Sequence, residues 1–228
     1  LGHASQYLDV DLDCAEAKAL ADTILPKPTL TFDRGSLDSG HYLYRAISFG
    51  PTKKFSANGS KATLVELRGN GAQTMVPPSI HPCGDQVKCT ASNPDAEKLD
   101  YEDLLKSVSF LAACSEVAQK WKDGQRHDLA LCFSGLCLKL GVDPQLLTNV
   151  VLRICQLTGD LEEQDRMNCV KTSVGKPDDK IIGYCGLVEC IGKSAAVRIY
   201  ERVATYTGKQ VSALLAMADE GNQIVNFG

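Results

Sequence analysis

Tyr7-Leu8-Asp9-Val10-Asp11-Leu12-Asp13 alternates apolar and acidic residues with a period of two. That is the period of a β-strand, whose successive side chains point to opposite faces. The run therefore predicts a strand with Asp9, Asp11 and Asp13 on one face, their carboxylates about 6–7 Å apart. Like charges at that spacing repel and gain little from burial, so a fold tolerates them poorly without a cation. Hard divalent ions, Mg²⁺ or Mn²⁺, prefer carboxylate oxygens, and a pair of them is expected here. Such a pair suits phosphoryl transfer, one ion activating an attacking hydroxyl and both steadying the leaving group. The competing reading is a solvent-facing edge strand that binds nothing.

Working outward, Asp13 reads as a helix N-cap with Glu16 three residues on, opening a helix through Ile24 that Pro26 stops. Strand-like stretches follow at 29–32, 42–49, 63–67 and 73–76, separated by Gly and Pro clusters. After Pro94 the pattern becomes helical over 103–121, 126–140, 144–158 and 162–171, punctuated by Gly124, Gly141, Gly159 and Gly175. Further helices are expected over 194–206 and 211–218. The fold class is α+β, a mixed-sheet domain over 1–95 followed by an all-α helical bundle over 96–228. The boundary falls in the polar stretch 90–100.

The 228 residues are 44% hydrophobic and 23% charged, the balance of a globular protein. No apolar run approaches the roughly 20 residues that span a bilayer, and no basic-then-apolar leader opens the chain. A cytoplasmic protein without a membrane partner is expected. Among ten cysteines, Cys114, Cys132, Cys137, Cys155 and Cys169 sit in helical patterns and read as reduced, buried thiols. Cys83 and Cys89 follow His81 closely but without a Cys-x-x-Cys pair, so zinc is not expected. The net charge of −4 gives no global signature of a nucleic-acid binder. Between Asp13 and Glu66, however, seven Lys and Arg face four acids.

Asp9-Val-Asp11, then Ser39-Gly-His41, then Val65-Glu66 follow one another along the chain. This order resembles the three motifs of the archaeo-eukaryotic primase superfamily: acid-x-acid, Ser-x-His, and an apolar residue followed by an acid. The run Glu66-Leu-Arg-Gly-Asn-Gly-Ala-Gln-Thr-Met-Val-Pro-Pro-Ser79-Ile-His81-Pro-Cys-Gly is similar to the bifunctional primase-polymerase domains of phages and plasmids, and Leu43-Tyr44-Arg45 fits the same pattern. The resemblance covers roughly residues 7–90. Members usually carry a segment ahead of the acidic strand, so a missing N-terminal segment is expected. A third acid leaves the first motif in two registers, Asp9/Asp11 or Asp11/Asp13, and the apolar pair before Asp9 favours the former.

The resemblance implies a template-dependent nucleotidyltransferase, a DNA primase and polymerase, acting on NTP or dNTP with a single-stranded DNA template and primer. It implies that Asp9, Asp11 and Glu66 hold the metals, with Asp13 contributing, and that His41 acts with them on the phosphates of the incoming nucleotide. Ser39 would seat the phosphates through its hydroxyl. Arg68, two residues past Glu66 on the same strand face, could grip a phosphate bidentately. Ser79 and His81 would form a rigid nucleotide-binding wall after two prolines. Arg45, Lys53 and Lys54 are expected on the nucleic-acid path. In the helical half, Gly124-Gln-Arg126-His127 opens a helix and could hold a backbone phosphate. The resemblance gives that half a role in binding template and initiating nucleotide. No helicase motif occurs, although relatives often carry a helicase further along. A metal-dependent nuclease or phosphoesterase, and a non-catalytic single-stranded DNA-binding module, are the alternatives.

Overall fold

A computed structural model describes residues 1–35, 38–57 and 62–210; the helix expected over 211–218 lies outside them. The chain divides into two compact units, residues 1–116 and 117–228. The division falls within a long helix rather than in the polar stretch 90–100, because helix formation continues unbroken from Tyr101 to Gln119.

The first unit is built on a six-stranded sheet of β1 (Tyr7–Leu12), β2 (Leu30–Asp33), β3 (Gly40–Arg45), β4 (Lys53–Ser56), β5 (Thr63–Arg68) and β6 (Lys88–Ser92). The strand order is β4-β5-β1-β3-β2-β6, which puts the acidic strand near the middle. All five ladders are antiparallel. The α+β class stands, but the sheet is antiparallel rather than mixed. Among the described residues, parallel pairing is confined to the isolated bridge of Ala46 with Leu99. Short connections account for two of the ladders, β2 with β3 and β4 with β5, since antiparallel strands can join through tight loops whereas a parallel neighbour needs a crossover of a dozen or more residues.

The alternation of β1 becomes two chemically distinct faces. Leu8, Val10 and Leu12 are fully buried on one side, while Asp9, Asp11 and Asp13 share the other. Helix α1 (Ala15–Ile24) packs against β1 and buries Ala17, Leu20, Ala21 and Ile24, an i, i+3, i+4, i+7 stripe. Its N-cap is Cys14, whose thiol accepts from the Ala17 N–H at 3.5 Å, and not Asp13 as expected. Asp13 is still tied to the sheet, its N–H donating to the Leu64 carbonyl at 3.1 Å. The polar edge strand β6 and the short β4 escaped the periodicity test, and 73–76 is not a strand.

Helix α2 (Tyr101–Gln119) follows, then α3 (Arg126–Leu140), α4 (Pro144–Thr158), α5 (Glu163–Ser173), α6 (Tyr184–Ile191) and α7 (Lys193–Thr207). Helices α3 and α4 start and stop as expected, with left-handed Gly141 and Gly159 closing them. In the second unit α3 packs against α4, α5, α6 and α7. Being enclosed, it buries residues around much of its circumference. Gly135 lets α6 approach: a Cβ there would lie 1.7 Å from the Ile182 carbonyl oxygen. Cys114, Cys132, Cys137, Cys155 and Cys169 are all buried free thiols. Among the described residues, no helix is long and apolar enough to cross a membrane.

Candidate active site

Register brings the site together. β1 pairs Asp11 with His41 of β3 on one side and with Glu66 of β5 on the other, and Asp9 lies opposite Arg68. Residues 30 to 59 positions apart in sequence thus become cross-strand neighbours on one sheet face. Asp9, Asp11 and Glu66 are 0%, 5% and 6% exposed, whereas Asp13, just past the strand end, is exposed.

Oxygens of Asp11, Asp13 and Glu66 all lie within 4.8 Å of one another. Asp9 stands beside this group with a different task. Its Oδ2 accepts from His41 Nδ1 at 3.0 Å, while its Oδ1 is buried without a hydrogen-bond partner. Burial pushes the Asp11 carboxyl up to about 6 against the pull of His41 and Arg68, and burial also raises Asp13. Burial alone would lower His41, but the Asp9 hydrogen bond and the charges of Asp9 and Asp11 outweigh it and raise the imidazole. The His41 ring stacks on Phe32 with centroids 4.8 Å apart.

Arg68 lies across the acids. Its Nε donates to Glu66 Oε2 at 3.1 Å, its Nη2 contacts Asp11 Oδ2, and its Nη1 is 3.8 Å from Asp9 Oδ2. Lys54 Nζ adds an ion pair to Glu66 Oε1 at 3.4 Å.

These groups open onto a cavity of about 410 Å³ lined in part by Asp11, Asp13, Ser39, His41, Arg68 and His81. Arg34 lines it too, its Nη1 3.1 Å from His81 Nδ1. In the sequence Arg34 counted only among the basic residues between Asp13 and Glu66, and no motif marked it; the register of β2, whose Phe32 pairs with His41, brings it to the cavity. Asp33 shares the rim and is held by Lys18 Nζ at 2.9 Å. The Gly35 N–H and Lys18 outweigh burial and keep the Asp33 carboxyl below its usual range.

Other expected ligands fall elsewhere. The Arg45 guanidinium donates to the Pro94 and Ala96 carbonyls at 2.5 and 3.0 Å and so braces a loop. Ser79 does not line the cavity; its backbone bonds to Val76 and Val87 hold the turn after the prolines. Lys53 is exposed on β4. His81, on the cavity lining, also has its Nδ1 2.8 Å from the Cys83 thiol. In the second unit, Arg126 pairs with Asp123 at 2.8 Å and approaches Asp160 at 3.8 Å, while His127 bonds Asp165 at 2.7 Å above the buried Cys169. Arg126 and His127 are thus committed to neighbouring acids.

Residues 1–100 match the family model described as bifunctional DNA primase/polymerase, N-terminal. No curated protein and no solved structure matches the chain.

Proposed function

We propose, from the premise that residues 1–100 are a domain of the bifunctional DNA primase/polymerase N-terminal family, that this chain joins nucleoside triphosphates on a single-stranded DNA template. The observation that carries the reading is the convergence of Asp11, Asp13 and Glu66 within 4.8 Å, beside an Asp9 oxygen that is buried without a partner. A buried carboxylate oxygen left unpaired is costly, and a cation is the partner its chemistry calls for. The donor set is all oxygen, which fits Mg²⁺ or Mn²⁺. Asp11, Asp13 and Glu66 would hold these ions, with Asp9 Oδ1 as an additional donor. The ions would supply charge neutralisation for the triphosphate and for the departing pyrophosphate.

The chain's own residues do the rest by position and charge. Asp9 holds His41 by Nδ1, so the ring's Nε2 is the nitrogen left to donate to a phosphate oxygen. Since Asp9 and Asp11 favour its protonated form, His41 brings a positive charge to that contact. Ser39 seats the phosphates beside it, and Arg34 and His81 line the same cavity. In the reaction a primer 3′-oxygen bonds to the α-phosphorus, the bond from that phosphorus to the bridging oxygen breaks, the hydroxyl proton is lost and pyrophosphate leaves. The helical unit, residues 117–228, would assist template or initiating-nucleotide binding.

The test is extension of a labelled primer on single-stranded template with triphosphates and Mn²⁺, wild type against Asp11→Ala and Glu66→Ala. Losing a group that merely orients a metal ligand typically costs about 10–100-fold, so loss of a ligand should lower extension by at least about a hundredfold. Circular dichroism should show the fold retained. Longer products from the wild type support the reading. Shorter ones indicate a nuclease, strand binding without product indicates a non-catalytic module, and full activity in either variant refutes the metal assignment.

A further inference from the structure

Arg68 occupies the place where the acids converge. Each of its three guanidinium nitrogens faces a different carboxylate: Nε toward Glu66, Nη2 toward Asp11 and Nη1 toward Asp9. Its side chain is 23% exposed and lines the cavity, so the guanidinium has open space beside it. A divalent ion such as Mg²⁺ bound by Asp11 and Glu66 would take their oxygens at about 2.0–2.1 Å and repel a cation a few ångströms away. Arg68 and that ion therefore compete for Asp11 Oδ2 and Glu66 Oε2. The other ion-pairing cations do not stand in its way: Lys54 reaches Glu66 through Oε1, and His41 faces Asp9 Oδ2 and Asp11 Oδ1.

We propose that Arg68 is an exchangeable counter-ion, which holds the acids together until a divalent cation displaces it and which then turns into the cavity as a ligand for the triphosphate. The inference rests on the metal-dependent reading above and adds an order to it. Before the ion arrives, the guanidinium offsets the mutual repulsion of Asp9, Asp11 and Glu66. Afterwards its planar fork is free for the bidentate phosphate contact that suits arginine. Ion binding thereby creates part of the nucleotide site, and the coupling is reciprocal.

The experiment measures Mn²⁺ binding to the full chain by the loss of free-ion electron paramagnetic resonance signal, without nucleotide. Wild type, Arg68→Gln, Arg68→Lys and Asp11→Asn are compared. Removing a competing charge at this range should tighten Mn²⁺ binding in Arg68→Gln by roughly tenfold. Arg68→Lys keeps the charge without the fork and should fall between the two, which guards against a Gln variant that folds poorly. A non-hydrolysable triphosphate titrated at saturating Mn²⁺ should bind Arg68→Gln about tenfold more weakly than wild type. Mn²⁺ affinity that is unchanged or weaker in both Arg68 variants, with Asp11→Asn still abolishing binding, overturns the exchange and leaves the metal site standing. Mn²⁺ binding that is indifferent to Asp11→Asn overturns the metal site itself. Unchanged triphosphate affinity overturns the second role of Arg68.

Discussion

At the scale of single residues, the sheet separates two carboxylates that look equivalent in sequence. Asp9 and Asp11 occupy the same face two positions apart, yet Asp11 gathers with Asp13 and Glu66 while Asp9 turns its Oδ2 to His41. The sequence displayed three acids in alternation but could not divide their labour, because the division depends on which side chain stands across the ladder. Asp9→Asn should therefore act first on the imidazole. His41 lies above its ordinary value because the Asp9 hydrogen bond and the neighbouring charges outweigh burial, so removing the charge should lower its pKa, read from ring-proton resonances during a pH titration. The stability sign follows. A histidine raised in the folded state contributes stability that is fully present below 6.5 and is lost as pH rises through its folded value. Asp9→Asn should show less of that loss in denaturant titrations stepped upward from pH 6. With His41 donating to the phosphates as proposed, His41→Ala should lower extension by about a hundredfold, the usual scale for losing one charge-stabilising donor.

At the scale of elements, β5, which pairs with the acidic strand and carries Glu66 and Arg68, is fixed at its end by a close approach of glycines. Immediately after Arg68, Gly69 passes the loop before β4 so tightly that a Cβ on it would lie 2.1 Å from the Gly50 carbonyl oxygen. The same junction is bonded from Asn70 N–H to that carbonyl at 2.8 Å and from Gly69 N–H to Thr52 Oγ1 at 3.1 Å. Backbone on both sides leaves nothing flexible to yield. Gly69→Ala should destabilise the sheet by about 1–3 kcal/mol, visible as a fall of several degrees in melting temperature. Elements with a clear period were legible: β1 and the stripe of α1 followed from alternation and from helical spacing, and Gly141 and Gly159 marked the ends of α3 and α4. The others lacked the signal on which such reading depends. β6, Lys88–Ser92, is exposed at every residue and so has no buried face to impose a pattern. β4 is a four-residue edge strand whose only buried residue is Phe55. Met75 and Val76 suggested a strand, yet both are exposed beside the cavities rather than in the sheet. Arg45 shows what charge leaves unsaid: its guanidinium donates to the Pro94 and Ala96 carbonyls, a loop-bracing role that composition alone does not signal.

At the scale of the whole molecule, the two compact units offer separate handles because the only tryptophan of the chain, Trp121, belongs to the helical one. Trp121 is buried, and its Nε1–H donates to Asp160 Oδ2 at 2.9 Å. Asp160 also accepts from Arg166 Nε at 3.0 Å and from the Glu162 N–H at 3.1 Å. Burial would raise its carboxyl, but the Trp121 hydrogen bond, the Glu162 amide and Arg166 outweigh it and hold the group below the ordinary 3.8. A depressed acid contributes stability that is present above the unfolded value and is lost as pH falls through the folded one. Asp160→Asn keeps the shape while removing the charge, so it leaves the buried Arg166 with its Asp160 contact uncompensated. At neutral pH it should cost the helical unit about 2–4 kcal/mol, measured by Trp121 fluorescence in a denaturant titration. The difference from wild type should stay constant down to about pH 4, then shrink through the acid range as the wild-type carboxylate takes up its proton. Asp160 and the acids of the sheet belong to different compact units, so Mn²⁺ binding at Asp11 and Glu66 should be the same in Asp160→Asn as in wild type under native conditions. If the substitution weakens Mn²⁺ binding along with the fluorescence transition, residues 1–116 do not hold their metal site independently, and the helical residues take part in building it.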